Sequence, residues 1–443
     1  MTNIDEILSK CKKQFDYVDK ICEINSLKIL KSFRENRVSE SHFAPSTGYG
    51  YGNTGREIIN KVFAQSFGAE SALVSSSFVS GTHAISVALF ALLRPNQRVL
   101  FITGKPYDTL DSILNGSNCC SLKDFEIKHE ICDYKKDNLV FYLKKSPEVV
   151  YIQKSRGYSF RDSLSVLEIK RLIEKVKLLS PKSVVLVDNC YGEFVEQFEP
   201  TDVGADFVVG SLIKNPGAGI SASGGYILGK RELVSLCEQR FLASGLKDMG
   251  ASSNNREILM GLFYSPLAVR ESLKSGIFAS ALFEYAGFEV SPRYDEKRYD
   301  IVTCIKLENE KNLLKFCESV QKYSPIDSFV TPEPWNMPGY DHKVVMASGG
   351  FVSGSSVELS ADAPLKEPFA VWFQGGTNFY LAKKALVSSL NEILMSNNWS
   401  QYFVYFSYEK FFCSFSLWFI ERIICSLVSK RNEFLSCKEG LIK

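Results

Sequence analysis

Five short and almost continuously apolar segments follow one another along the first half of the chain: QRVLFI (97–102), EVVYIQ (148–153), SVVLVD (183–188), DFVVGS (206–211) and GGYILG (224–229). Segments with helical periodicity, such as Val166–Leu179, separate several of them. Strands that are apolar on both faces and alternate with helices are typical of βαβ units around a mostly parallel sheet covered by helices. The pattern therefore predicts an α/β domain over residues 46–260.

Residues 1–45, which precede this domain, are predicted to form amphipathic helices, because apolar side chains recur there at helical spacing (Ile4, Ile7, Leu8, Phe15, Val18 and Ile21). The glycine-rich stretch STGYGYGNTGRE (46–57) predicts a loop, and a helical pattern runs from Glu57 to Phe67. ALVSSSFVSGTHAISVALFALL (72–93) then predicts a short strand, a serine-rich turn and a helix that begins near Gly81 or Thr82.

The second half of the chain has a different pattern, with helical segments near 255–286 and a strand in RYDIVTCIKL (298–307). It predicts a smaller α+β domain over residues 261–395. The tail, residues 396–443, is rich in aromatic residues, and Glu409, Lys410, Glu421 and Arg422 interrupt its apolar runs. A transmembrane helix needs about 20 mostly apolar residues, so we expect a buried helical extension, or a terminus unrelated to the rest of the fold, rather than a membrane span.

Composition and charge narrow the possible partners. The 443 residues are 45% hydrophobic and 23% charged, with a net charge of +2, which is ordinary for a globular protein. This charge, without a basic stripe of interleaved aromatic residues, gives no electrostatic case for binding nucleic acid. A small-molecule partner is therefore expected.

The 12 cysteines are scattered along the chain without a CxxC pair, and the opening MTNIDEILSKCKKQF has no apolar segment of the kind found in signal peptides. We therefore expect a cytoplasmic protein with reduced thiols rather than a disulfide framework. The four histidines do not stand at metal-ligand spacing from other ligands, so no metal site is predicted.

Candidate binding residues follow the predicted strands, where ligands of open α/β sheets bind. Ser80, Gly81 and Thr82 stand at a predicted helix start, whose free N–H groups favour a phosphate. Taken alone, this segment would be interpreted as an ordinary helix cap. Asp188 ends a buried strand, where an unpaired carboxylate is costly, although it could also cap a neighbouring helix.

Two further candidates follow other strands of the predicted sheet. Tyr107 comes shortly after the segment 97–102, and Lys214 follows Ser211 in a Ser-x-x-Lys turn. A phosphate cradle, a strand-end aspartate, an aromatic ring and a lysine together are the set that holds pyridoxal 5'-phosphate. The order and spacing of the four elements favour this cofactor more than any one of them does.

Longer motifs carry a family resemblance over roughly residues 45–390: GYGYGNTGRE, ALVSSSFVSGTHAI, YIQKSRGYSFRDS, VLVDNCYGEFVE, ADFVVGSLIKNPGAGI, SGGYILG and GGFVSGSSVELSADAPLKEPFAVWFQGG. With these motifs the chain resembles fold-type I pyridoxal-phosphate enzymes, and more closely the methionine gamma-lyase-like aluminium resistance proteins, which are relatives of the cystathionine lyases. The resemblance implies that Lys214 forms the Schiff base with the cofactor and that Asp188 keeps the pyridine nitrogen protonated. It also implies that Tyr107 stacks on the ring and that Ser80, Gly81, Thr82 and Ser211 hold the phosphate.

The resemblance also implies a homodimer or homotetramer with shared sites, because in the cystathionine lyases a Tyr-x-Arg pair from the neighbouring subunit grips the phosphate, just before a Gly-Asn dipeptide. In this chain Tyr49 and Tyr51 precede Gly52-Asn53, but no arginine stands at the matching place. Arg56 is the candidate replacement.

The function that the resemblance implies is β- or γ-elimination of a thiol from a sulfur-containing amino acid, with Lys214 moving protons between the α and β carbons. The same cofactor also serves transaminases and decarboxylases, and a catalytically inactive protein with this fold is a third interpretation. Arg156 and Arg298 are the candidates for binding the carboxylate of the substrate, since a carboxylate favours an arginine fork. Which amino acid is used stays open at this point.

Overall fold

The computed structural model describes residues 4–116, 120–243, 246, 249–337 and 340–396. Within these ranges the helices are α1 (Ile4–Glu35), α2 (Thr54–Ser66), α3 (Gly81–Leu92), α4 (Asp111–Asn115), α5 (Leu139–Leu143), α6 (Val166–Leu179), α7 (Arg231–Phe241), α8 (Asn255–Tyr285), α9 (Glu310–Lys322) and α10 (Phe379–Ser396). No helix in these ranges is long and apolar enough to cross a membrane. The expectations for the tail from residue 397 onward lie outside the described residues.

The first sheet contains β1 (Ser71–Ser75), β2 (Arg98–Phe101), β3 (Lys128–Ile131), β4 (Val149–Gln153), β5 (Val184–Asp188), β6 (Phe207–Ser211) and β7 (Gly225–Gly229). Its strand order is β1-β7-β6-β5-β4-β2-β3, and β7 runs antiparallel to both of its neighbours. The pairs between β6 and β3 are parallel. The predicted α/β fold with a mostly parallel sheet is therefore confirmed.

The strands of this sheet are apolar because each one faces two cores. In β2, Val99 and Phe101 point into a core shared with α3 and α7, whereas Leu100 points into a core shared with α2, α6 and the start of α8. Since side chains alternate along a strand, burial on both sides leaves no polar positions. Strand β3 lies at the sheet edge and is half exposed (Lys128–Ile131), so it lacks an apolar run and the sequence pattern does not predict it.

The second sheet is antiparallel and contains β8 (Val290–Ser291), β9 (Thr303–Lys306), β10 (Trp335–Asn336), β11 (Lys343–Ser348), β12 (Ser360–Pro364) and β13 (Ala370–Gln374). Its order is β10-β11-β12-β13-β9-β8. One face, with Ala361 and Phe373, packs on α8, α9 and α10. The opposite face carries Ser360 and Asp362, because these residues alternate with Ala361 and Ala363 along β12.

A single N-terminal helix, α1, joins the two halves of the molecule. It has 32 residues and packs along α8. Ile7, Cys11 and Val18 belong to the core beneath the second sheet, whereas Ile29 belongs to a core of the first sheet. The apolar spacing predicted helices over residues 1–45, and most of that segment is this one helix.

Candidate functional site

A cavity of about 300 Å³ opens where the parallel strands of the first sheet end and the polar face of the second sheet begins. Strands β4, β5 and β6 end at Gln153, Asp188 and Ser211, and all three residues line the cavity. Because ligands of open α/β sheets bind beyond the carboxyl ends of the strands, this is the place to expect a site. The cavity also contains the predicted residues Ser80, Gly81, Thr82, Tyr107 and Lys214.

One wall of the cavity is the N-terminus of α3. The hydroxyl of Ser80 caps this helix by accepting a hydrogen bond from the N–H of His83 at 3.1 Å. The first N–H groups of a helix have no partner within the helix and attract anions. The hydroxyl of Ser211 is buried beside them and has no hydrogen-bond partner among the described residues. An unpaired buried hydroxyl beside a helix N-terminus fits a phosphate group.

Gly81 keeps this wall open, because a side chain there would collide with its neighbours. A Cβ atom at this position would lie 3.0 Å from the Cβ of Ser211 and 3.4 Å from the sulfur of Cys190. The backbone of α3 therefore approaches the end of β6 as closely as a glycine allows.

Asp188 is 2% exposed and is held by two hydrogen bonds. The hydroxyl of Tyr151 donates to its Oδ2 at 2.8 Å, and the N–H of Cys190 donates to its Oδ1 at 3.1 Å. Burial raises the pKa of Asp188 above its usual value, although these hydrogen bonds oppose the shift. The carboxylate would be stabilised by a positive charge placed against it, such as a protonated pyridine nitrogen.

Lys214 lines the same cavity as Asp188. Its Nζ donates to the carbonyl oxygen of Gly354 at 3.0 Å and lies 4.9 Å from the centre of the Tyr191 ring. Burial lowers the pKa of Lys214, but the neighbouring Tyr191 hydroxyl and Asp362 carboxyl outweigh it, so the pKa lies above its usual value. Tyr191 has a φ of 70°, a left-handed conformation that is uncommon for a tyrosine and often found at functional sites.

Tyr107 is half-buried and follows β2, as the sequence predicted for an aromatic ring at this edge. Burial raises the pKa of its hydroxyl well above the usual value, and the nearby Asp188 carboxyl adds to the shift. The ring therefore stays neutral, and it lines the cavity together with the Asp188 and Lys214 side chains.

The sequence analysis missed the contribution of the second sheet, most of all Asp362. This carboxylate is 5% exposed and accepts hydrogen bonds from Gln374 and from the Tyr158 hydroxyl. Burial raises its pKa, and the two donors and Lys214 oppose the shift. The available signal was the alternation of Ser360 and Asp362 with alanines in LSADAP, which indicates a strand with one polar and one apolar face.

Arg156 and Arg298, the predicted carboxylate ligands, are buried outside the cavity. The Nη1 of Arg156 donates to the carbonyl and hydroxyl oxygens of Ser291 at 3.1 and 2.9 Å. Arg298 donates to Thr303, Ser280 and the carbonyl of Gly276. Burial and the nearby Arg156 charge lower the pKa of Arg298 to about 9. Both guanidinium groups thus hold parts of the second domain together.

The predicted loop at residues 46–57 also lies outside this cavity. Its backbone is held by the segment 249–252, since the N–H of Gly250 donates to the carbonyl of Tyr49 at 2.6 Å. Arg56 donates to the carbonyl of Gly250 at 3.3 Å. The side chains of Tyr49 and Tyr51 are 68% and 70% exposed. The loop is therefore anchored by its own chain while both rings face outward.

Comparison with known proteins adds a family to this geometry. The model of the methionine gamma-lyase family matches residues 1–394. The uncharacterized protein YnbB of Bacillus subtilis (strain 168) is 42% identical over 388 residues, which cover 85% of this chain and 92% of YnbB. The crystal structure of a carbon-sulfur lyase involved in aluminum resistance from Clostridium novyi NT is 42% identical, with a TM-score of 0.84 over 88% of this chain and 94% of that one.

A more distant structure has the same fold. The pyridoxal-5'-phosphate dependent protein YhfS from Escherichia coli is 17% identical, with a TM-score of 0.56 over 85% of this chain and 97% of that one. At this identity the likeness concerns the fold alone. Together the matches confirm the resemblance that the sequence motifs predicted.

Proposed function

Because the chain belongs to the methionine gamma-lyase family, we propose that it is a pyridoxal-phosphate-dependent lyase that cleaves a carbon–sulfur bond of an amino acid by β- or γ-elimination. The observation that carries the proposal is that Lys214 and Asp188 line one cavity together with the N-terminus of α3. The relative from Clostridium novyi described as a carbon-sulfur lyase supports the reaction class.

The residues of the cavity fit the cofactor group by group. Ser80, Gly81, Thr82 and Ser211 would hold the phosphate, because the helix N-terminus and an unpaired buried hydroxyl meet there. Asp188 would face the pyridine nitrogen. Lys214 would bind the cofactor covalently, and Tyr107 would stack on its ring. When bound, the cofactor stores the electron pair released at the α carbon of an amino acid.

The chain's own groups would then handle the protons. Lys214 would move a proton at its Nζ between the substrate carbons, a task for which its place at the cavity wall is suited. The Tyr191 hydroxyl hydrogen-bonds to that Nζ and would orient it. Asp188, held by Tyr151 and Cys190, would preserve the positive charge on the ring nitrogen that the reaction needs.

Binding of the substrate carboxylate by Arg156 or Arg298 stays a prediction, and the burial of both side chains outside the cavity weighs against it. The Tyr49 and Tyr51 rings, which are exposed on an anchored loop, are instead suited to reach the cavity of a partner subunit. The protein would accordingly be a homodimer or homotetramer with shared sites, and Arg56, at the end of the loop, is the candidate for phosphate binding across the interface.

The test is to incubate the purified protein, loaded with pyridoxal phosphate, with a panel of amino acids. A carbon–sulfur lyase releases a keto acid, ammonia and a thiol in equal amounts. A transaminase needs a keto-acid acceptor and releases no thiol, and a decarboxylase releases carbon dioxide. Formation of either of these product sets without thiol release would replace the proposal, and no turnover of any amino acid would favour an inactive protein.

A further inference from the structure

The second sheet presents a row of polar side chains to the cavity. Ser348, Ser360 and Gln374 are direct cross-strand partners on β11, β12 and β13. Asp362 lies two residues beyond Ser360 on the same strand and therefore points to the same side. All four line the cavity. A polar row on one face of a buried sheet is costly unless something polar binds to it.

Part of this row lacks partners. The hydroxyl of Ser360, which is 4% exposed, has no hydrogen-bond partner among the described residues. The hydroxyls of Ser355 and Ser356, in the loop that leads into β12, are each 2% exposed and are unpaired in the same sense. These groups line the cavity beside Asp362. They are donors and acceptors available to a ligand group that reaches the second sheet.

The charges around the cavity are unbalanced. Among its described lining residues, Lys214 is the single cation, whereas Asp188 and Asp362 are both carboxylates. The proposed cofactor uses Lys214 for a covalent bond and Asp188 for its ring nitrogen. Asp362 is then a buried carboxylate without an assigned cationic partner, and no arginine or second lysine of the described lining compensates it.

We propose that Asp362, together with the Ser360 hydroxyl, binds an ammonium group at the far end of the substrate, so that the preferred substrate is an amino acid thioether with an amino group beyond the sulfur. This inference rests on the proposed function of the same cavity. An ammonium group satisfies the carboxylate by charge and also donates to the hydroxyl oxygen. A neutral alkyl group leaves Asp362 uncompensated, and a carboxylate at the same position is repelled.

A competing explanation is that Asp362 acts on Lys214 alone, as its counter-charge. The two explanations differ in what they predict for substrates that differ only at the far end. A counter-charge for Lys214 affects all substrates equally, whereas a substrate subsite distinguishes a charged end from a neutral one. The comparison of matched substrates therefore decides between them.

The experiment uses the full chain loaded with pyridoxal phosphate and three substrates of similar size. S-(2-aminoethyl)-L-cysteine has an ammonium end, S-propyl-L-cysteine is its neutral isostere, and S-carboxymethyl-L-cysteine has an anionic end. We expect kcat/KM for the aminoethyl compound to exceed that for the propyl compound about 10- to 100-fold, the range for one hydrogen bond to a charged group. The carboxymethyl compound should be the poorest of the three.

Binding is measured independently of turnover. L-Lysine and L-2-aminoheptanoic acid have no sulfur to eliminate and match the first two substrates in length and end group. Calorimetric titration of the loaded protein should give L-lysine the higher affinity, by about 10-fold or more. If no thioether is cleaved, the proposed lyase function fails, but this titration still decides whether the subsite exists.

The variant Asp362→Asn should remove the preference for the ammonium end while it retains turnover of S-propyl-L-cysteine. Glu289→Gln is the matched control, because Glu289 is a carboxylate of the same domain that pairs with Lys306 at the surface, away from the cavity. Equal wild-type affinity for L-lysine and L-2-aminoheptanoic acid overturns the inference without any variant. An equal loss for all substrates in Asp362→Asn also overturns it, in favour of the counter-charge.

Discussion

Replacement of Asp188 by asparagine should have opposite effects on the cofactor-free protein and on catalysis. Desolvation of a carboxylate costs several kcal/mol, and each hydrogen bond to a charged group returns about 1.5–3 kcal/mol. Asp188 has two such bonds, from Tyr151 and Cys190, so a net cost of about 1–2 kcal/mol remains. An asparagine carries no charge and can still bond with both neighbours. Asp188→Asn should therefore stabilise the cofactor-free protein by about 1–2 kcal/mol.

The pH dependence of this effect follows from the pKa. Burial raises the pKa of Asp188 in the folded state, so the folded protein retains a proton that the unfolded chain has already lost. Stability contributed by this group is present at low pH and decreases as the pH rises above the usual aspartate pKa of about 3.9. The advantage of Asp188→Asn should accordingly be small near that pH and larger at neutral pH.

The assay is urea unfolding of both cofactor-free proteins at acidic and neutral pH, with elimination rates measured on the loaded proteins. An increase in the unfolding midpoint with an unchanged slope reports stability itself. The loaded variant should retain the covalently bound cofactor but lose most of its activity, since the ring nitrogen loses its anionic partner. A destabilised cofactor-free variant would refute the burial argument, and unchanged turnover would refute the role assigned to the carboxylate.

Three further outcomes are expected. Borohydride reduction of the loaded protein should fix the cofactor on the peptide that contains Lys214, by mass spectrometry, and Lys214→Ala should abolish the adduct; label on another lysine would contradict the assignment. Gly81→Ala should weaken cofactor affinity about 10-fold or more, because the new Cβ would press on Ser211, whereas Ala88→Gly within the same helix should destabilise the fold without a selective loss of affinity. Mixing subunits that carry Lys214→Ala with subunits that carry Tyr51→Ala should restore activity if sites are shared, and no recovery after proven subunit exchange would mean that the loop serves its own chain.

The strands that the sequence predicted are those for which burial on both faces removes all polar positions, as in β4 and β5. Strand β3 escaped prediction because an edge strand need not be apolar. Lys214 and Asp188 could be selected from the sequence because both follow strand ends, and the ends of parallel strands meet at one edge. Local sequence thus fixes which residues reach this edge of the first sheet.

Asp362 could not be selected in that way, because its place depends on how the second sheet pairs. The register that aligns Ser360 with Ser348 and Gln374 is a property of three strands separated by loops, and no single segment encodes it. The arginines failed to show their placement for a related reason. Arg156 and Arg298 carry the expected chemistry, but their position outside the cavity depends on the packing of both domains.

The long helix α1 has a consequence for the order in which the chain folds during synthesis. Its first half contributes Ile7, Cys11 and Val18 to a core formed with residues that follow Val269, and the ring of Phe15 packs against Phe379 in α10 at 5.4 Å. The helix is made first, but its partners leave the ribosome last. Its apolar side stays exposed until translation is nearly complete, which is a stage at which chains aggregate or need chaperones. Chains truncated before α10 would carry this unburied helix side permanently.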